Sequence, residues 1–171
     1  MALKVVQALK ELRIIEKKTN HNNAEITRLA SGTSIEKPIM GSEREQMTEV
    51  TSLLQANTDL FNRYLDLKTG LEKTNLATIV TIGGVTKTVS EWLVIRRKLG
   101  KMQTESLMAL NDKEGQHRLR GQDRPGELSV QIVRYYDEKD RMRNLAAHRD
   151  RIESIDGTLE VVNATTDVIG F

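Results

Sequence analysis

The chain has 171 residues, enough for one domain, of which 38% are hydrophobic and only 4% aromatic. Its 26 Lys and Arg nearly balance 24 Asp and Glu, so the net charge of +2 gives no strong case for a nucleic-acid or membrane-surface partner. The absence of cysteine excludes disulfides and thiolate metal sites. So few aromatic residues favour narrow seams of Leu, Ile and Val between helices over a broad globular core.

The beginning of the sequence shows no targeting signal. Residues 1–15 are amphipathic and charged, so they do not form the apolar core of a signal peptide. No run approaches the roughly 18 apolar residues that a membrane span requires. We therefore expect a protein of the cytoplasm or of a virion, with no transmembrane helix and no membrane partner.

Apolar residues in the first part of the chain recur at spacings of three and four, as in a coiled-coil seam. The first seam predicts a helix over 2–30, and its residues are Val5, Ala8, Leu12, Ile15, Thr19, Asn22, Ile26 and Leu29. After a Gly- and Pro-containing loop, a second seam predicts a helix over 42–73, and its residues are Val50, Leu53, Asn57, Leu60, Tyr64, Leu67 and Leu71. Antiparallel pairing would place Asn22 opposite Asn57, either as a buried polar layer that fixes the register or as positions that drift toward solvent.

The stretch TIVTIGGVTKTV contains two β-rich runs around Gly-Gly, which is typical of a two-residue hairpin turn. It predicts a β-hairpin over 76–89, and the alternative is a flexible linker. Because an isolated hairpin is marginal in water, it needs a covering helix or a third strand. The candidates for that strand are the alternating pattern at 128–135 and the tail TTDVIGF at 165–171.

Two further helices are predicted beyond the hairpin. The third begins at Ser90, and its seam is Trp92, Ile95, Leu99, Met102, Ser106 and Ala109. The fourth begins near Asp137, and its seam is Leu145, His148, Ile152, Ile155, Leu159 and Val162. Antiparallel pairing would set Leu99 against Ile155 and Ser106 against His148, the latter as a second polar layer.

These patterns together predict a mainly α protein with four long helices in a single elongated domain. Residues 1–75 form one antiparallel coiled-coil hairpin and residues 76–89 the β-hairpin at the junction. Residues 90–171 form the second helical hairpin, with a polar loop at 111–127 and an extended C-terminal tail.

A faint internal repeat supports this division. LEKTNLATIV at 71–80 matches LEVVNATTDV at 159–168 with an offset of 88 residues. We infer that each helical hairpin ends at an Asn, with Asn75 and Asn163 as the C-caps, and that an extended segment follows each one.

Residue types that carry chemistry are sparse. His21, His117 and His148 have no carboxylate at metal-ligand spacing, and there is no Gly-rich phosphate loop. We therefore expect no enzymatic activity, no metal and no cofactor. Seven basic residues are candidates for phosphate contacts: Arg96, Arg97, Lys98, Lys101, Arg118, Arg120 and Arg124. Acidic neighbours and the lack of interleaved aromatic residues favour solvated faces over a nucleic-acid site.

Three short motifs are familiar in combination. Their residues are Leu71, Thr74, Asn75 and Thr78; Val89, Trp92, Leu93, Arg96 and Leu99; and Asp156, Leu159, Asn163, Thr166 and Val168. Together they resemble a family of small, uncharacterised helical proteins of bacteria and phages, sometimes labelled septicolysin-like. The resemblance covers most of the chain and implies no catalytic residues. The phage members of that family imply a virion component.

The expected function is that of a non-enzymatic assembly protein, such as a head, neck or tail accessory protein of a phage, which self-associates or contacts a scaffold. Strand addition by the β element or the tail would supply the contacts. The predicted interface residues are Ile79, Val80, Ile82, Val85, Ile169 and Phe171. The alternatives are a nucleic-acid-binding module that uses the third helix and residues 117–124, and a cytosolic coiled-coil adaptor.

Overall fold

Helices make up most of the protein, and the computed structural model describes residues 2–120 and 131–171. The helices are α1 (Val5–Leu29), α2 (Glu43–Ala77), α3 (Val89–Val94), α4 (Gly100–Ala109), α5 (Lys113–Arg120) and α6 (Glu138–Thr165). The strands β1 (Ile79–Ile82) and β2 (Val85–Thr88) pair antiparallel. The prediction of a mainly α protein with a small β element is confirmed.

Two compact units divide the chain. The first comprises Met1–Thr78 and Val161–Phe171, and the second comprises Ile79–Glu160. The last residues of the chain therefore belong to the same unit as α1 and α2.

The core of the first unit lies between α1 and α2. Its buried residues are Val5, Ala8, Leu12, Ile15, Leu67, Leu71 and Val168. Side-chain hydrogen bonds join Glu11 to Arg63 and Asn22 to Asn57, so positions rise along α1 as they fall along α2 and the helices run antiparallel. Full burial of each Leu or Ile contributes about 1.5–3 kcal/mol, which makes this seam the main source of stability in the unit.

The start of α2 agrees with the prediction, and its end does not. The Ser42 hydroxyl caps the helix by accepting a hydrogen bond from the Glu45 N–H. Asn75 is not the C-cap but lies inside the helix, because the Thr78 N–H still bonds to the Thr74 carbonyl at 2.9 Å. Asn163 likewise lies inside α6. The weak helix propensity of Asn is overridden in both places.

The β-hairpin forms around the predicted Gly-Gly turn. Gly83 and Gly84 have φ values of 56° and 78°, which glycine adopts at little steric cost. The cover for the hairpin comes from α3, where the indole N–H of the buried Trp92 donates to the Val80 carbonyl at 3.0 Å. The N-cap of α3 is Thr88 rather than the predicted Ser90, since the Thr88 hydroxyl accepts from the Glu91 N–H while the Glu91 carboxylate accepts from the Thr88 N–H.

A π-helical turn over Ile95–Leu99 interrupts the predicted third helix. A π turn inserts an extra residue into the helix and rotates the positions that follow it. Gly100 is consequently buried beside Ile152, and a Cβ atom at Gly100 would lie only 2.8 Å from the Cδ1 atom of that residue. Leu99 is exposed, and its predicted pairing with Ile155 stays a prediction.

The region between α4 and α6 contains more helix than expected. α5 lies within the predicted loop 111–127, of which residues 121–127 are outside the described part of the chain. The predicted strand at 128–135 lies partly outside it as well, and its described residues, 131–135, form no strand. A 2.5 Å ion pair between Arg134 and Asp112 ties this segment to the start of α5.

Candidate assembly surfaces

A polar layer crosses the seam between α1 and α2. The Asn22 amide donates to Asn57 Oδ1 at 2.9 Å, and the Asn57 amide donates to Asn23 Oδ1 at 3.0 Å. The Asn57 side chain is only 4% exposed, so the alternative in which it drifts toward solvent does not apply. The neighbouring Thr19 hydroxyl is buried without a hydrogen-bond partner. Burying these polar side chains therefore costs desolvation free energy. A polar residue at a seam position incurs this cost and in return fixes the register of the two helices.

We expect the double substitution Asn22→Leu/Asn57→Leu to raise the melting temperature. Replacing both partners removes the buried amides together, which stabilises by up to about 1 kcal/mol and corresponds to roughly 2–4 °C. Calorimetry measures the transition, and light scattering should show a broader distribution of oligomers. The single change Asn57→Leu is the control, because it leaves Asn22 without its partner. A double variant no more stable than this control would contradict a costly polar layer.

The segment Thr166–Phe171, termed the tail segment, is held against the start of α1. Lys4 and Asp167 form an isolated antiparallel bridge. The Val5 N–H donates to the Thr166 carbonyl at 3.0 Å, and the Val168 N–H donates to the Leu3 carbonyl at 2.8 Å. The Lys4 ammonium also lies 2.6 Å from the Asp167 carboxylate. Thr166–Val168 are thus held by main-chain pairing, whereas Ile169 and Gly170 form a turn in which the Phe171 N–H donates to the Val168 carbonyl at 3.3 Å, so the tail is not extended throughout as predicted.

Gly70 forms the floor of the surface on which the tail segment lies. An ideal Cβ atom at Gly70 would be 2.9 Å from side-chain atoms of both Val168 and Phe171, so only glycine permits this approach. The Thr74 hydroxyl donates to the Gly70 carbonyl and accepts from the Ile169 N–H at 2.9 Å. Val168 is only 2% exposed. We call Leu3–Val5, Gly70 and Thr74 together the tail seat.

A charged pair borders the tail seat. The Arg63 guanidinium lies 4.9 Å from the centroid of the Phe171 ring, which is within range of a cation–π contact. The same guanidinium donates to both carboxylate oxygens of Glu11, at 2.7 and 3.1 Å. This hydrogen bonding holds the pKa of Glu11 below its usual range. Arg63 therefore connects α1, α2 and the tail segment.

The six predicted interface residues differ in accessibility. Ile79 and Val85 are exposed on the β-hairpin, Val80 is half-buried and Ile82 is buried. Ile169 and Phe171 are partly exposed although the tail segment lies on the tail seat. The role of these residues at an interface stays a prediction.

A second apolar stripe runs along the exposed surface of α2. Its residues are Met47, Thr51, Leu54, Thr58, Phe61 and Leu65, all of them exposed. They follow a 4-3-4-3-4 spacing and extend over about 27 Å of helix. Both Thr hydroxyls donate to backbone carbonyls of α2 itself, at Met47 and Leu54. We call this set the exposed α2 stripe.

The exposed α2 stripe was not identified in the sequence, although its spacing is visible there. Each member from Thr51 onward follows a residue of the α2 seam by one position, which corresponds to a rotation of about 100°. Phe61 is 55% exposed and Leu65 is 64% exposed, whereas Leu67 on the seam is fully buried. The sequence thus contains two heptad patterns on one helix. Within the described residues, α1 packs on the seam and the other stripe stays exposed.

The predicted Ser106–His148 layer does not form. Ser106 is exposed and its hydroxyl donates to the Met102 carbonyl of its own helix. His148 Nε2 lies 2.8 Å from the Gly100 carbonyl and donates to it, because a carbonyl can only accept. The cause is the rotation introduced by the π-helical turn. Beside His148, a groove of about 760 Å³ lies between α4 and α6.

The predicted phosphate-contacting residues do not form one patch of free charge. Arg96 forms an ion pair with Asp156, and Lys101 lies 3.8 Å from Glu105. Arg97 and Lys98 are exposed on the π-helical turn, Arg118 and Arg120 are exposed on α5, and Arg124 lies outside the described residues. Phosphate binding stays a prediction.

Within residues 2–120 and 131–171, no group of three or more His, Asp or Glu side chains is arranged to hold a metal ion. No helix in the same ranges has the length and apolar character needed to cross a bilayer. No protein-family model, curated protein or solved structure matches the chain. The resemblance to septicolysin-like proteins therefore stays an expectation.

Proposed function

We propose that this protein is a non-enzymatic structural protein that assembles with copies of itself or with a larger scaffold through coiled-coil contacts. The exposed α2 stripe carries this proposal. A heptad-spaced apolar stripe gains stability when a second helix covers it, since full burial of each Leu or Phe contributes about 1.5–3 kcal/mol. Exposed apolar surface of this extent is characteristic of protein–protein interaction sites.

The proposal includes an architecture and a setting. In it, α1 and α2 form one antiparallel coiled-coil hairpin, and α3, α4 and α6 contribute the second. The setting is a phage virion, in which the protein serves as a head, neck or tail accessory component. This setting depends on the family resemblance, and the small size and absence of cysteine are compatible with it.

We expect the double substitution Leu54→Glu/Phe61→Glu to weaken self-association about tenfold or more. A carboxylate buried in an apolar helix interface has no partner, and a loss of about 1.4 kcal/mol already corresponds to a factor of ten. Light scattering after size exclusion over a concentration series measures the effect. The fold should be retained, because Leu54 and Phe61 are exposed in the single chain.

The matched control is Ser52→Glu/Asn62→Glu, which adds the same two charges to exposed positions of α2 outside the stripe. This control should self-associate like the unmodified chain. Equal loss in both variants would reflect added charge alone and would contradict a role for the stripe. A concentration-independent monomer in the unmodified chain would contradict self-assembly. It would favour the coiled-coil adaptor, in which the same stripe receives the helix of a different partner.

A further inference from the structure

Two junctions in this chain have the same local construction. At the first, the second residue after α2, Ile79, pairs antiparallel with Thr88, the N-cap of α3. At the second, the second residue after α6, Asp167, pairs antiparallel with Lys4, the N-cap of α1. We call these the 79–88 junction and the 4–167 junction.

The resemblance between the junctions extends to their caps and their sequences. The Thr88 N–H donates to the Glu91 carboxylate at 2.8 Å, and the Lys4 N–H donates to the Gln7 side-chain carbonyl at 2.9 Å. In both cases the acceptor lies three residues after the N-cap. The internal repeat, with its offset of 88 residues, aligns Ile79 with Asp167. If the chain is divided into the segments 4–79 and 88–167, each segment begins and ends with a residue that pairs at a junction.

The junctions differ in how the chain connects their two sides. At the 79–88 junction, the Gly83–Gly84 turn joins the strands directly, so the pairing is local. At the 4–167 junction no short connection exists, and nearly the whole chain lies between the paired residues. Nothing in the local contacts requires Lys4 and Asp167 to belong to the same molecule. Exchange of an identical element between copies costs little, because every contact of the element is preserved.

We propose that the 4–167 junction connects copies of this chain, with the tail segment of one copy lying on the tail seat of the next. The proposal rests on the proposed function and identifies the contact by which copies assemble. Asp167 of one copy would then pair with Lys4 of the next copy, just as Ile79 pairs with Thr88 within a single chain. A contact of this kind is head-to-tail, and it produces a closed ring or an extended filament.

The chemistry of the tail seat suits this occupant. The main-chain bonds at Leu3 and Val5 fix the direction of the incoming segment, and Gly70 leaves room for Val168 and Phe171. The Lys4–Asp167 ion pair adds charge complementarity at 2.6 Å. Ile169 and Phe171 stay partly exposed on the seat, which leaves apolar surface for neighbouring copies to cover.

Cysteine cross-linking tests the proposal directly, because the chain has no cysteine of its own. A full-length chain with both Lys4→Cys and Asp167→Cys is unfolded, refolded and oxidised, and its mass is read on a non-reducing gel. Refolding removes any barrier from slow exchange of tail segments. A mixture of tagged Lys4→Cys chain and untagged Asp167→Cys chain is treated in the same way. The control mixture replaces Lys4→Cys with Ser34→Cys, which lies beyond the far end of α1, about 37 Å away along the helix.

We expect the double variant to give species of twice the chain mass or higher, and the tagged mixture to give a mixed dimer that the control mixture lacks. A double variant that links only within single chains, together with no mixed dimer, would overturn the proposal. Light scattering on the unmodified chain separates this failure from that of the proposed function. An oligomer with only intrachain links retains the proposed function, whereas a monomer without interchain links overturns both this proposal and the self-assembly on which it rests.

Discussion

Replacement of Trp92 by alanine is expected to lower the free energy of unfolding by about 3–5 kcal/mol. The Trp92 side chain is 1% exposed, and its indole N–H donates to the Val80 carbonyl of β1 at 3.0 Å. The substitution leaves a large cavity and removes the cover of a two-stranded hairpin, which is marginal by itself. Urea unfolding followed by far-ultraviolet circular dichroism measures the change, since this signal does not depend on the missing indole.

Two further variants separate packing from hydrogen bonding at this position. Trp92→Phe retains most of the apolar area but leaves the Val80 carbonyl without its donor, so we expect a smaller loss of about 1–3 kcal/mol. Tyr135→Ala is the control for aromatic truncation, because Tyr135 is 95% exposed, and its effect should stay within about 0.5 kcal/mol. If Trp92→Ala were no more destabilising than Tyr135→Ala, the indole would not anchor the hairpin.

Much of the secondary structure follows from local patterns. The three-and-four spacing of Val5, Ala8 and Leu12 predicts α1 because each of these residues contributes to one apolar face. The Gly83–Gly84 pair predicts the turn because left-handed backbone angles are readily adopted only by glycine. Both signals lie within a few residues, and the structure agrees with them.

The pairing of the later helices could not be predicted in the same way. The π-helical turn over Ile95–Leu99 has no distinct residue signature, yet it rotates every position that follows it. Gly100 reads in the sequence as a costly residue within a helix. In the fold it permits the close approach of Ile152 and presents its carbonyl to His148. One inserted residue therefore changed the register of the predicted α4–α6 seam.

The candidate assembly surfaces were predicted only in part. The Asn22–Asn57 contact follows from heptad register, because both residues lie on their seams. The tail seat could not be identified from the sequence. Gly70 matters because its missing side chain leaves room for Val168 and Phe171, and these residues lie about a hundred positions away in the sequence. Periodicity also cannot decide which of two apolar stripes on α2 a neighbouring helix covers.

Two Gly→Ala substitutions test whether the tail segment is held by close packing on α2. We expect Gly70→Ala to be less stable than Gly157→Ala by about 1–3 kcal/mol, although both gain the same helix propensity. A methyl group at Gly157 meets no atom within 4 Å, whereas at Gly70 it would lie 2.9 Å from atoms of Val168 and Phe171. Gly157→Ala should therefore stabilise the protein by about 0.5–1 kcal/mol. Urea unfolding of the two variants side by side measures the difference.

Hydrogen exchange locates the effect of Gly70→Ala in the structure. The Val168 N–H is bonded to the Leu3 carbonyl and the Ile169 N–H to the Thr74 hydroxyl, so both amides should be protected in the unmodified chain. Gly70→Ala should accelerate exchange at these two amides, because the added methyl group displaces the tail segment from its seat. Gly157→Ala should leave them protected. Unchanged protection in Gly70→Ala would mean that α2 shifts to accommodate the methyl group, and that main-chain pairing with Leu3–Val5 holds the tail segment without the contribution of Gly70.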